Sequence, residues 1–200
     1  MNRRTAILLI PLFLAGAAPL AWAGEALNWR GVAWPEDVTR VEAAVDRARA
    51  FKPEQNDDAK AFTSAQELLA RASQPRPLGA IEGNWQVRSI QVVAHGTYAY
   101  PRFKARIDRD GENFRFDKLT GSQRRGGTLF PFGDGRTLAF LGGSRVNDEP
   151  HVPYSRIGSE QAPSRAESDT SGRLVRIGAK ELLLILDASD GGYELYHLRR

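Results

Sequence analysis

Hydrophobic side chains recur along this chain with two different periods, and the switch between them falls near Gly83. Before it the spacing is helical. Val38, Val41, Val45 and Ala48 recur at three- and four-residue intervals among Arg, Glu and Asp, which predicts an amphipathic helix. Pro35 suits its first turn, Glu36 and Asp37 suit the positive end of its dipole, and Pro53 ends it. A second helix begins near Asp57 or Asp58, both suitable caps, and gathers Phe62, Ala65, Leu68, Leu69 and Ala72 on one face. It stops before Pro75-Arg76-Pro77, a stiff connector. The two stripes read as packing faces, so residues 35–73 are expected to form a helical hairpin.

Beyond Gly83 the period falls to two, the repeat of a strand with one buried face. Strands are predicted at Trp85–Ala94, Tyr98–Asp108, Asn113–Leu119, Gly127–Phe132, Thr137–Leu141, Arg173–Ile177, Glu181–Leu186 and Tyr193–Leu198. Turn residues separate them: Asp110-Gly111, Gly133-Asp134-Gly135, Gly142-Gly143, Gly178 and Asp190-Gly191-Gly192. Phe103, Ala105 and Ile107 share one face, as do Phe114 and Phe116. Leu182 to Leu186 is apolar on both faces, so that strand is expected to be central or covered by the helices. About eight short antiparallel strands in one stretch predict a barrel or a tightly coiled sheet, since closure removes exposed edges. The fold class is therefore α+β, mainly β, over a single domain at 24–200, with the β region at 83–200.

One segment breaks the pattern. Residues 146–171 are polar, carry Pro150, Pro153 and Pro163, and offer only Val152, Tyr154 and Ile157 for apolar contact. Connections of this length are lids, binding loops or disorder. Its first half, with Tyr154, is expected to be pinned down, and Ser159 to Thr170 to be mobile.

At the N-terminus Arg3 and Arg4 precede an apolar run from Ala6 to Leu20, and Ala21-Trp22-Ala23 has the form of an A-x-A cleavage signal. Residues 1–23 thus read as a secretory signal peptide, giving a periplasmic or secreted protein after cleavage near Ala23. The run is shorter than the roughly 20 residues that cross a bilayer, so an uncleaved anchor is the weaker alternative. Ordinary secretion fits the hydrophobic core better than the twin-arginine route, and no cysteine is present to carry a lipid. The formal net charge of +4 becomes +2 once the leader's two arginines are removed. That balance argues against nucleic acid as a partner. With no cysteine, disulfide staples, cysteine nucleophiles and thiolate metal sites are excluded, and stability must come from burial.

The best candidate site is the segment Lys118-Leu119-Thr120-Gly121-Ser122-Gln123-Arg124 with Arg125, Gly126 and Gly127 behind it. Lys118, Ser122, Gln123 and Arg124 concentrate hydrogen-bond donors, and glycines permit close backbone approach to a ligand. Such a set suits a carboxylate, a phosphate or a glycan. The competing reading is a plain strand–turn–strand corner, with Thr120 and Ser122 closing the turn and the arginines solvated or paired with acids. A Ser122 nucleophile activated by Lys118 would need a tight turn at Gly121, because four residues along a strand separate the two by about 13 Å. His95, His151 and His197 show no metal-ligand spacing, and each is expected at the surface or half-buried. Asp148, Glu149 and His151 form a small polar cluster, and Tyr98 and Tyr100 are candidates for a pocket mouth. No catalytic residue, metal site or cofactor is nominated.

The run Phe103–Ile107, KLTGSQR itself, Gly127-Thr128-Leu129-Phe130-Pro131, Leu138–Gly142 and Arg176-Ile177-Gly178 together resemble the exported bacterial family known as domain of unknown function 4893. The resemblance runs from about Trp34 to the C-terminus and implies an exported single-domain protein with no established activity. It also implies a cysteine pair on neighbouring strands at the positions of Val87 and Ala105, replaced here by apolar residues, and a glycine after the loop tyrosine where Ser155 stands. Gly83-Asn84-Trp85 is similar to the G-x-W opening of lipocalin and calycin barrels, with Arg199-Arg200 placed to lie against the tryptophan. The expected function is a periplasmic binding or accessory protein of the cell envelope. Its ligand, a small anionic or glycan molecule or an envelope protein, would be held by Lys118, Ser122, Gln123, Arg124 and Tyr154, without stable membrane insertion. The alternatives are an envelope hydrolase acting on glycan or ester substrates, and a structural or interaction domain without a ligand.

Overall fold

The computed structural model describes residues 28–158, 162–188 and 190–200. The expected leader at 1–23 and its cleavage after Ala23 lie outside the described residues, as do 159–161 of the long polar segment. Eight antiparallel strands follow one another around a closed barrel: β1 (Gly83–Val93), β2 (Gly96–Asp110), β3 (Asn113–Lys118), β4 (Gln123–Pro131), β5 (Thr137–Val146), β6 (Asp169–Gly178), β7 (Glu181–Asp187) and β8 (Tyr193–Arg199). Each pairs with its chain neighbours, and β1 with β8 closes the ring. Eight strands in sequence order are what the alternating pattern predicts.

Alternation decides what fills the barrel. Trp85, Val87, Ala105, Ile107, Phe114, Phe116, Leu129, Leu138, Phe140, Leu174, Leu182, Leu184, Leu186, Tyr196 and Leu198 form one buried cluster inside it. Val87 and Ala105 both belong to this cluster, on neighbouring strands. One end of the barrel is plugged. Arg176 donates to the carbonyls of Ala80 and Ala179 (both 2.8 Å) and of Leu78, while the Arg200 guanidinium lies 4.0 Å from the Trp85 ring centre, the contact its terminal position led us to expect.

The helices pack on the outer wall. They are α1 (Trp29–Val32), α2 (Pro35–Glu42), α3 (Ala44–Ala50) and α4 (Ala59–Ala72). Asp58 caps α4 by accepting from the Ala61 N–H at 2.9 Å. Leu183 and Ile185 of β7 lie under Ala65, Leu68 and Leu69 of α4, so the doubly apolar strand is buried on both sides. The single helix expected from Pro35 to Pro53 is broken. Ala43 leaves helical geometry (φ −94°, ψ 8°), and the break sends Val41 into a different cluster from Ala48. Val41 packs with Trp29, Phe130, Ala139, Leu141 and Tyr154. The short α1 carried no periodic signal, because one turn is too brief to show one.

The long connection is shorter than expected, since β5 runs on to Val146 and β6 begins at Asp169. Gly142-Gly143, expected to be a turn, lies buried within β5 and pairs with Gly127 and Gly126. The start of β6 is polar, so neither extension is marked by a hydrophobic period. Tyr154 is pinned down as anticipated, at 1% exposure. The stretch before Thr170, expected to be mobile, is fastened in its described part. Arg165 donates to Asp37 Oδ2 (2.9 Å) and to the Asp169 carbonyl (2.8 Å), and the Ala166 N–H donates to Asp169 Oδ2 (3.1 Å).

Candidate functional site

The unplugged end of the barrel is where the β1–β2, β3–β4, β5–β6 and β7–β8 connections meet. The KLTGSQR corner is the β3–β4 connection and so forms part of this rim. Here inward strand positions turn from apolar to charged. Lys118, Arg125, Glu194 and the Tyr196 hydroxyl occupy the upper storey of the barrel, above Phe116 and Phe140.

Their arrangement is tight. Lys118 is 4% exposed, and its Nζ donates to the Gln123 carbonyl at 2.6 Å while facing the rings of Phe103 (4.6 Å) and Tyr196 (5.2 Å). Arg125 forms an ion pair with Glu194 and donates to the Tyr196 hydroxyl at 3.1 Å, and Ser89 donates to Glu194 Oε1 at 2.5 Å. Burial pushes the Lys118 ammonium below its ordinary value. The Arg125 and Arg124 charges push the same way, against the pull of Glu194. Burial and the Glu194 charge push the Tyr196 phenol up, so it stays neutral. Two cations and one carboxylate thus share the floor of the mouth.

Above that floor lies a cavity of about 570 Å³, lined by Gln91 of β1, Ser144 of β5, Thr170 of β6, Glu194 of β8 and Arg125, with Arg165 on the returning loop. The volume is that of a small-molecule pocket. Among the described residues six buried side-chain polar atoms have no hydrogen-bond partner, and three of them belong to this lining: Arg125 Nε, Thr170 Oγ1 and Glu194 Oε2. Glu194 Oε2 touches the Arg125 guanidinium as an ion pair but accepts no hydrogen bond. Glu194 Oε2 is taken up by its ion pair, which leaves Arg125 Nε and the Thr170 hydroxyl as two buried polar atoms without a partner in residues that line the cavity, each at a cost of about 1–3 kcal/mol.

The outer wall beside the mouth is held by a second polar cluster, which the sequence did not reveal. Asp37, fully buried, accepts from Tyr154 Oη (2.7 Å), Ser171 Oγ (3.0 Å), Arg165 Nε (2.9 Å) and Arg40 (3.1 Å). Burial alone would raise its carboxyl. Hydrogen bonds from Tyr154 and Arg165, the charge of Arg165 and the bond from Arg40 outweigh this and hold it below the ordinary value. Asp169 does similar service, accepting from the Ser155 N–H (2.8 Å), the Ser155 hydroxyl and Trp34 Nε1 (3.3 Å). The serine that stands where the family resemblance implied glycine is therefore used through its side chain.

The five residues expected to hold a ligand are not brought together. Lys118 points into the barrel. Ser122 and Gln123 are exposed on the corner, where the Ser122 carbonyl accepts from Asn147. Arg124 donates to the Gly121 carbonyl (2.8 Å) and pairs with Asp148 (3.0 Å). Tyr154 is outside the barrel, against α2. Lys118 and Ser122 share no hydrogen bond. Gly127 serves the sheet, since a Cβ there would lie 2.4 Å from the Gly142 Cα and keep β4 and β5 apart, while a Cβ on Gly126 would meet the Asp117 and His151 side chains. The Asp148-Glu149-His151 group is also divided, with Glu149 bound to the Val146 N–H and His151 beside Arg145. His197, expected at the surface or half-buried, is only 6% exposed, with the side chains of Arg199 and Glu181 at its Nε2.

Glu194 had a signal of sorts, an acid in strict alternation with Tyr196 and Leu198. Tyr193, Leu195 and His197 offered an equally apolar opposite face, so the inward side was ambiguous. Asp37 had none, because at a helix start it reads as a dipole partner.

The family model for a domain of unknown function, DUF4893, matches residues 29–192. No curated protein matches the chain. No solved structure matches it either.

Proposed function

The chain belongs to the DUF4893 family, and we propose that it is a non-enzymatic binding protein of the cell envelope, exported by its N-terminal leader, whose ligand sits in the open mouth of the barrel. The cavity, with the unpartnered Arg125 Nε and Thr170 hydroxyl in the residues that line it, carries this reading. Arg125 Nε offers a donor, and the Thr170 hydroxyl a donor or an acceptor. The lining holds four guanidinium groups (Arg40, Arg47, Arg125, Arg165) and four carboxylates (Glu167, Asp169, Asp187, Glu194), and Lys118 beneath adds one further cation. A matching ligand has one negative charge and several hydroxyl groups: its carboxylate takes the Arg125 and Thr170 donors, and its hydroxyls donate to the carboxylates of the lining. Sugar acids and acidic glycan fragments have this chemistry. The Lys118–Gln123 part of the corner contributes the floor, while Ser122 and Arg124 shape the rim.

Titration calorimetry with glucuronate, gluconate and glucose tests the proposal. Glucuronate should bind, glucose should bind about tenfold more weakly for want of the charge, and Thr170→Val should weaken glucuronate by roughly threefold to tenfold. Equal affinity of wild type and Thr170→Val, or no heat with any acidic sugar at millimolar concentration, would remove the case for this site.

A further inference from the structure

We infer that the bare outer face of β8, β1 and β2 is a docking surface for an anionic lipid bilayer. The helices cover the wall over β6 and β7 and the upper parts of β8 and β1, where Ile90, Val92, Tyr193 and Leu195 lie beneath them. Lower on these strands the outward side chains that remain at the surface, Arg88 and Gln86 of β1, Arg102 and Lys104 of β2 and Arg199 at the end of β8, are mostly basic. Arg88 stands in register with Arg102 on one side and His197 on the other, and Gln86 stands between Lys104 and Arg199. Four cations therefore form a two-row array across three strands.

Like charges directly opposite each other on a sheet destabilise it. Among the described residues, Arg88, Arg102 and Lys104 meet no carboxylate, and only Arg199 is paired, with Glu181. The repulsion is felt locally, since after burial the charges of Arg199 and Arg88 are what depress the Arg102 guanidinium. Glu181 offsets part of this, pairing with Arg199 and reaching Arg102 through its charge, and the three cations that form no ion pair are available for an external partner.

The apolar side chains within the array point to lipid. Pro101 shares a shallow depression with Arg88 and Arg102, and Leu119 shares another with Lys104, Gln86 and Arg199. Pro101 is exposed and Leu119 is 39% exposed. Arginine and lysine stems beside an exposed proline and leucine match a headgroup layer, which offers phosphates outside and acyl chains just below. Nucleic acid or an acidic protein would use the cations and leave the leucine in water. Among the described residues no helix is long and apolar enough to cross a membrane, so this contact is peripheral.

Co-sedimentation with vesicles provides the test, using the full described domain with vesicles of phosphatidylcholine alone and of phosphatidylcholine with about one-third phosphatidylglycerol. Binding is expected only to the anionic vesicles and is lost at high salt. Each basic residue near such a surface strengthens attachment about fivefold, so Arg88→Glu with Arg102→Glu should weaken it tenfold or more. The control pair Arg49→Glu with Lys60→Glu changes the net charge equally on α3 and α4 and should leave binding within about twofold. An equal loss in both pairs overturns the proposal, because net charge alone would then be responsible. No sedimentation with anionic vesicles at low salt overturns it, as does tighter binding to polyglutamate or duplex DNA than to vesicles. If the double glutamate variant does not fold, Arg88→Gln with Arg102→Gln is read instead and should still show at least a fivefold loss.

Discussion

The Tyr154 hydroxyl donates to the fully buried Asp37 carboxylate at 2.7 Å while accepting from the Trp34 N–H at 2.9 Å. One side chain of the long connection thus satisfies both the carboxylate of α2 and the chain entering that helix. Ser171 of β6 and Arg165 bind the same carboxylate, so the loop, the helix and the barrel wall meet at one ion. Removing a hydrogen bond to a buried charge costs about 1.5–3 kcal/mol. Tyr154→Phe should lower unfolding stability by that amount in urea titration. Asp37→Ala takes the shared acceptor from Tyr154, Ser171 and Arg165, while Arg40 keeps its pair with Asp187, and should cost about 3 kcal/mol. A Tyr154→Phe variant as stable as wild type would show that the latch contributes nothing.

The Arg125–Glu194 pair inside the mouth should behave as one energetic unit. Either Arg125→Met or Glu194→Gln alone leaves an uncompensated charge in the barrel and is expected to cost about 3–5 kcal/mol. Arg125→Met combined with Glu194→Gln keeps volume and gives Ser89 and Tyr196 a neutral partner, so it should cost much less than either single change. Chemical denaturation of the four proteins gives the coupling directly, and simple additivity would contradict it.

Acid should weaken the fold in two stages. Burial, with the Arg199 charge beside it, lowers His197 from 6.5 to about 4 against the pull of Glu181. Between those values the unfolded chain binds a proton that the folded chain refuses, so stability falls as pH drops through this window, by about 3 kcal/mol at most. Asp37 is depressed below 3.8, so its contribution is present above that pH and is lost as pH falls further. His197→Gln should flatten the first stage and leave the second. Thermal melts across pH read both, and an unchanged profile in the variant would assign the first stage to other groups.

Gly127→Ala should be strongly destabilising although the residue lies in an ordinary strand. Its Cβ would meet the Leu141 carbonyl and the Gly142 Cα, each at 2.4 Å, and backbone atoms cannot rotate away. Overpacking against backbone costs about 3 kcal/mol or more. Gly111→Ala provides a contrast in kind: its surroundings are open, and only its φ of +60° resists a side chain. Differential scanning calorimetry should show the larger loss for Gly127.

The eight strands, their order of appearance and the helical preface were legible because each depends on a period that the chain states locally. Phe103, Ala105 and Ile107 alternate whatever they pack against, and the doubly apolar Leu182–Leu186 already implied cover on both sides. Turn chemistry at Asp110-Gly111 or Gly191-Gly192 marked where strands stop for equally local reasons. The KLTGSQR segment is the best candidate site by its donors, and the structure places it at the β3–β4 connection. Its division into an inward Lys118, an exposed Ser122 and an Arg124 paired with Asp148 could not be read, because each outcome depends on residues far along the chain.

What tertiary structure alone decided is where charge goes inside. Closure brings Arg125 of β4, Glu194 of β8, Ser89 of β1 and Thr170 of β6 to one end, though they are separated by most of the domain. It also turns Asp37 from a helix-start acid into the hub of a buried latch. Periodicity reports which face of an element is apolar. Which polar side chain is then trapped against which, and left without a partner, is set by the register and closure of the barrel, which local spacing does not encode.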